Sequence, residues 1–144
     1  QRRKFIWNRY DSELKYWAEI NDIMQPSLPS HACNNAHMYY LCFNSASQRQ
    51  NVIDALMGQG IQSVSHYLSL HKSKYYMHCK SRRDCRLPYS DYYTNCLLRL
   101  PLFYELTLEE QSKVIDILQS INLTTSKVMQ DTLQLAEQDS PIAS

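Results

Sequence analysis

The chain has 144 residues, enough for one domain with a hydrophobic core and too few for two comfortable ones. Hydrophobic residues make up 44% of it and charged residues 20%, which excludes a disordered or fibrous polypeptide. Lys and Arg total 15 against 14 Asp and Glu, so no net field gathers nucleic acid or an anionic membrane as a partner, and no apolar run reaches the roughly 20 residues of a membrane helix.

Residues 2–24 contain no Pro or Gly, and Trp7, Tyr10, Leu14, Trp17 and Met24 recur at steps near three and four. That stripe predicts a long amphipathic first helix, ended by Pro26 and Pro29. His37 to Phe43 is aromatic and β-favouring, and predicts a buried strand. Ser47 and Gln50 have capping-box spacing ahead of Val52, Ile53, Leu56 and Met57, so a second helix follows, stopped by Gly58 and Gly60. Residues 61–66 alternate apolar with polar and predict a second strand, parallel to the first through a right-handed crossover.

Residues 67–89 form a long loop rich in Lys, Ser, Tyr, His and Cys, of a length usually tied to function. Residues 91–98 predict a short helix. The apolar run from Leu97 to Phe103 contains Pro101, which keeps it from being a central strand throughout. Thr107 and Glu110 form a second capping box before Val114, Ile115 and Leu118, and residues 124–138 suggest a further helix before a frayed tail. The fold class expected is α/β: a small sheet with helices and a long N-terminal helix.

The chemistry is narrowed mostly by exclusion. Gly58 and Gly60 are the only glycines, so no glycine-rich phosphate loop can form. Cys33, Cys42, Cys79, Cys85 and Cys96 are odd in number and contain no C-x-x-C pair, which points to reduced thiols in the cytoplasm rather than a disulfide framework. His66, His71, His78, Cys79 and Cys85 are metal-ligand types, but their spacing matches no zinc pattern, and a loop that happens to carry them is the better account. Lys80, Arg82 and Arg83 form a short basic cluster beside Asp84, best explained as a solvated loop. The segment His66-Tyr67-Leu68-Ser69-Leu70-His71 places polar groups at a strand's carboxyl end, where α/β ligand sites gather; the plainer alternative makes His66 a structural histidine and Tyr67 a core aromatic.

Three stretches in order, Asn35 to Tyr40, Ile61 to His71 and Leu97 to Thr107 with Glu109-Glu110-Gln111, resemble the C-terminal part of the DegT/DnrJ/StrS sugar aminotransferases. Gln1-Arg2-Arg3 and Ile6 to Tyr10 resemble the helix that enters that family's small domain, and a chain opening on Gln1 reads as part of something longer or as processed or truncated. The resemblance implies a small domain of a fold-type I enzyme over residues 1–122, with 123–144 as an extension. It implies amino transfer from glutamate to a 4-keto nucleotide sugar through pyridoxal phosphate, with the cofactor lysine in a separate large domain. No cofactor is expected on this chain alone, and none of Lys4, Lys15, Lys72, Lys74, Lys80, Lys113 and Lys127 is assigned the Schiff-base role. By resemblance, His66, Tyr67 and His71 lie on the substrate side, with Ser69 where the family usually has proline; residues 72–89 also depart from the family, which tends to carry glycine there. The implied partners are the large domain, or a second copy in a homodimer, and the nucleotide sugar. Without the large domain, the stripe through Trp7, Tyr10, Leu14 and Trp17 is expected to be uncovered and to drive self-association. The alternative is a small-domain relic kept as a binding or interaction module.

Overall fold

The computed structural model describes residues 1–65, 67–78 and 87–123. The predicted first helix is divided in two, α1 (Arg2–Glu13) and α2 (Lys15–Ile20), with Leu14 between them at φ −87° and ψ −7°. The Leu14 N–H still reaches the Tyr10 carbonyl at 3.0 Å, so the axis bends rather than breaks. Termination comes before the prolines. The Asn21 side-chain amide donates to the Trp17 carbonyl at 2.9 Å, and Asp22 reverses the chain at φ +55°, a left-handed conformation that aspartate tolerates. Met24 then pairs as an isolated antiparallel bridge with Cys42, leaving Pro26 to cut the ladder.

Strand β1 (Tyr39–Cys42) leads into α3 (Ala46–Gly58). The helix is capped by Ser45, two residues earlier than expected: its hydroxyl accepts from the Gln48 N–H at 3.2 Å, and Gln48 Oε1 accepts from the Asn44 N–H at 3.2 Å. Ser45 and Gln48 have the same spacing as Ser47 and Gln50, and burial of the Gln48 side chain decides between them. At the other end Gly58 stays helical and Gly60 does the stopping. At φ +74° it lets its own N–H reach Met57 and the Ile61 N–H reach Leu56, both at 2.9 Å. Ile61 is thereby used up by the cap, so β2 shrinks to Val64–Ser65.

A short 3₁₀ turn (Leu70–Lys72) and α4 (Lys74–His78) follow. Next come α5 (Pro88–Cys96), β3 (Leu97–Leu100) and α6 (Leu108–Ser120). The sheet order is β1-β3-β2, with β3 antiparallel to both neighbours. Strands β1 and β2 therefore do point the same way, but β3 lies between them and is the central strand, ending just before Pro101. Thr107 and Glu110 close the expected capping box on α6.

One face of the sheet carries Tyr39, Leu41 and Phe43 of the β1 segment with Leu98 and Leu100 of β3; with the helices they form the main core, which includes Ile6, Tyr10, Val52, Leu56, Ile115 and Leu118. Trp7, Tyr10, Leu14 and Trp17 are 0–7% exposed within this chain. The expectation that they lie uncovered is thus overturned: the stripe packs on the domain's own sheet, with Tyr10 stacked on Tyr39 at 5.3 Å and Trp7 edge-on to it at 5.4 Å. Met24 leaves the stripe and is half exposed. The suggested helix at 124–138 lies outside the described residues.

Candidate functional site

Of the three residues placed on a substrate side from sequence, Tyr67 and His71 are described and His66 lies outside the described residues. Tyr67 is 80% exposed just beyond β2, which rules out the core-aromatic alternative. Two residues on, Ser69 is buried and anchors the segment. Its hydroxyl donates to the Ser90 carbonyl at 3.1 Å, accepts from Ser90 Oγ at 3.1 Å, and meets Thr94 Oγ1 at 2.6 Å. Proline at this position would limit one backbone torsion, whereas the serine ties the segment to α5 through three hydrogen bonds.

His71 stands on the same support. Its Nε2 is 3.1 Å from Asp91 Oδ1, and the Lys72 ammonium reaches the same oxygen at 2.7 Å. The hydrogen bond from Lys72, with the charges of Lys72 and His71, holds the Asp91 carboxyl below its ordinary value. The imidazole is largely enclosed, and its Nδ1 has no partner among the described residues. Between Ser69 and His71, Leu70 points to solvent, as do Leu68 and Tyr75. The segment therefore presents apolar and aromatic side chains outward from a polar anchorage.

This anchorage gives a direct expectation. Ser69→Ala should cost about 1–2 kcal/mol and raise amide exchange across residues 67–78 while leaving the rest of the fold protected. Because the Asp91 carboxyl is depressed, its hold on the turn is complete above the ordinary 3.8 and is lost as pH falls through the lowered value. Exchange in this segment should rise selectively in acid; protection unchanged in Ser69→Ala would show that the hydroxyl network is idle.

A concave region runs along the edge of β2. A cleft of about 570 Å³ has Ile61, Val64, Phe103 and Leu106 among its walls, with Glu110 and Lys113 at its rim. It shares Gln62, Val64 and Pro101 with a smaller cleft of about 180 Å³ that contains Arg99. The described lysines, Lys4, Lys15, Lys72, Lys74 and Lys113, are all exposed. Among the described residues no group of three or more His, Cys, Asp or Glu could hold a metal ion; Cys79 and Cys85 lie outside them. No described helix is long and apolar enough to cross a membrane.

Sequence reasoning missed Ser69 as an anchor, Asp91 and Arg99. Arg99 did carry a signal, a charge set between Leu98 and Leu100 in an otherwise apolar strand. Asp91 carried none, since its meeting with His71 is purely tertiary.

Solved structures share this arrangement. The aminotransferase TlmJ from Streptoalloteichus hindustanus superposes with a TM-score of 0.71 at 25% identity, over 83% of this chain and 30% of that one. A DegT DnrJ EryC1 StrS aminotransferase from Brucella abortus gives 0.64 at 26% identity, over 81% and 29%. Spr1654 from Streptococcus pneumoniae in its PLP form gives 0.70 at 25%, over 83% and 30%. The chain thus spans about 30% of the length of the relatives it matches. The helices on a small antiparallel sheet are those of the aminotransferase fold in these structures, and residues 1–119 match a single family along their whole length. This chain belongs to the DegT/DnrJ/EryC1/StrS aminotransferase family.

Proposed function

We propose that this chain is the C-terminal small domain of a PLP-dependent nucleotide-sugar aminotransferase, over residues 1–122 with 123–144 as an extension. The reaction is amino transfer from glutamate to a 4-keto-6-deoxy nucleotide sugar, of the kind handled by dTDP-4-amino-4,6-dideoxygalactose transaminase. Such a reaction serves lipopolysaccharide or polysaccharide synthesis in the cytoplasm. The observation that carries this reading is a family match over residues 1–119 in a chain that spans about 30% of the length of its solved relatives.

Pyridoxal phosphate supplies, when bound, the carbonyl that exchanges amino groups between the two substrates. The described residues do not fit it by themselves. Every described lysine is exposed, Lys72 is spent on Asp91, and Lys113 donates to the Gln59 carbonyl at 3.0 Å. The anchoring lysine and the acid for the ring nitrogen then belong to a large domain, joined to this one or supplied by a second copy. In this reading the chain alone is inactive, and it contributes a wall on the substrate side formed by His66, Tyr67 and His71.

The expected result is that pyridoxal phosphate and borohydride leave no stoichiometric, site-specific lysine adduct on the isolated chain. Joined to a large domain of the family, the chain should support transamination, and His66→Ala should lower it with the fold intact. One defined adduct on the isolated chain would overturn the reading. A second reading, a relic acting as an interaction module, draws on the internal burial of the α1 stripe, which makes the domain self-contained. An upstream reading frame encoding the large domain decides for the first, and its absence for the second.

A further inference from the structure

We propose that Cys42 and Cys96 are a redox-sensitive pair, which a peroxide closes into a disulfide that clamps the end of α5 to β1. The two residues are brought together by the pairing of β1 with β3. Cys42 stands opposite Leu97, and its own backbone groups are spent on the other side, exchanging bonds with Met24 at 3.0 and 2.9 Å. Toward β3 it is therefore in a non-hydrogen-bonded pair, the closer kind, with Cα atoms about 4.5 Å apart. Cys96 is the residue before Leu97, and its carbonyl accepts from the Phe43 N–H at 3.0 Å. One step along a strand is about 3.3 Å, which sets the Cys42 and Cys96 Cα atoms roughly 5.5–6 Å apart, inside the range of about 4.4–6.8 Å that a disulfide spans.

Strand alternation alone would turn the two side chains to opposite faces, but Cys96 is the last residue of α5 and its side chain follows the helix. Both thiols are free, and they are buried with Leu97 in a small cluster apart from the main core, against Tyr40 and Tyr92. Cys42 is 1% exposed and Cys96 4%, so a peroxide, small enough to enter on a local opening, is the class of oxidant that reaches them. Burial holds both thiols up, and the charge of the Arg49 guanidinium pulls Cys96 part of the way back. Cys96 is thus the first to react, slowly. Its thiolate attacks a peroxide oxygen; an S–O bond forms, the O–O bond breaks, and the leaving hydroxide takes up the thiol proton as water. The Cys42 thiol then attacks the sulfenic sulfur; the S–S bond forms and the S–O bond breaks, releasing a second water. Two electrons pass from the two sulfurs to the peroxide.

The inference goes beyond the aminotransferase reading, which uses neither thiol, and its failure leaves that reading standing. Its reach within the domain follows from α5, which also carries the Ser90, Asp91 and Thr94 that hold Ser69 and His71. In the test the Cys33→Ser chain is treated with hydrogen peroxide, the remaining thiols are alkylated, and the tryptic peptides are weighed. Cys33 is exposed and shares the tryptic peptide of residues 16–49 with Cys42, so its removal makes the assignment unique. If Cys33→Ser does not fold, chymotrypsin, which cuts beside Tyr39 and Tyr40, separates Cys33 from Cys42 in the natural chain. The expected product is residues 16–49 joined to residues 87–99, lighter by two hydrogens than the separate peptides and released by dithiothreitol. Amide exchange across Pro88–Cys96 should slow in the oxidised chain. Recovery of both thiols as alkylated residues, a sulfinic acid at Cys96 without the crosslink, preferential bonding of either to Cys79 or Cys85, or a crosslink formed only in urea would overturn the proposal. So would a crosslink that leaves exchange in α5 unchanged.

Discussion

Tyr39→Ala is expected to destabilise the domain by about 3–5 kcal/mol, the range for removing a fully buried aromatic side chain. Tyr39 is 0% exposed and is the residue through which the first helix meets the sheet. Its ring stacks on Tyr10 at 5.3 Å and receives the edge of Trp7 at 5.4 Å, and its hydroxyl accepts from the Gln25 amide at 2.8 Å. Alanine leaves a cavity that both rings border and that neither can fill without leaving its rotamer. Tyr39→Phe keeps the ring and drops the hydroxyl's hydrogen bonds to the Gln25 amide and the Asp11 carboxylate. It should cost only about 1–2 kcal/mol, since Gln25 still donates to the Asp11 carbonyl at 3.2 Å. Denaturant midpoints for the two variants test this; near-equal losses would mean that the hydroxyl, not the ring, holds the contact.

The second large effect is expected in alkali. Burial holds the phenols of Tyr10 and Tyr39 well above their ordinary 10, and burial, helped by the Cys42 thiol, pushes Tyr92 up to about 12. The folded state therefore keeps these protons at a pH where the unfolded chain has released them. Their contribution is fully present below pH 10 and is lost as pH rises toward the raised values. Tyr10 and Tyr39 should each remove about 1.4 kcal/mol per pH unit above 10, and Tyr92, which is more open to solvent, less. With Tyr10 and Tyr39 acting together, the domain should unfold cooperatively in a narrow alkaline window. Stability measured by urea melts from pH 9 upward, with Tyr39→Phe as a shallower companion, checks the slope. A flat profile through pH 11 would contradict the burial of these hydroxyls.

Much of the fold was legible because it is local. The capping box of Thr107 and Glu110 and the apolar repeat of α3 each involve residues a turn apart, and the structure repeats them. The stripe through Trp7, Tyr10, Leu14 and Trp17 was legible as a buried face, but amphipathic spacing says that a face is covered, not by what. Its cover is Tyr39 and the sheet rather than an absent domain. The position of β3 and the meeting of His71 with Asp91 join residues that are 20 or more apart in sequence, and no periodicity encodes such pairings. The short β2 was obscured for a different reason: Ile61 suits a strand by alternation, and its N–H went to the helix cap first.

The insertion of β3 between β1 and β2 has a consequence for the nascent chain. Apart from the single bridge between Cys42 and Met24, neither early strand has a ladder partner among the described residues until residues 97–100 are made, so β1 and β2 leave the ribosome with the edges that face β3 unpaired. Residues 66–96 separate β2 from β3, a delay of about 2–6 s at roughly 5–20 residues per second. During that interval α3 is the most locally determined element present, with both ends capped by neighbouring residues. The sheet then closes in one step when its middle strand arrives, and until then the growing chain depends on its helices to keep it from aggregating.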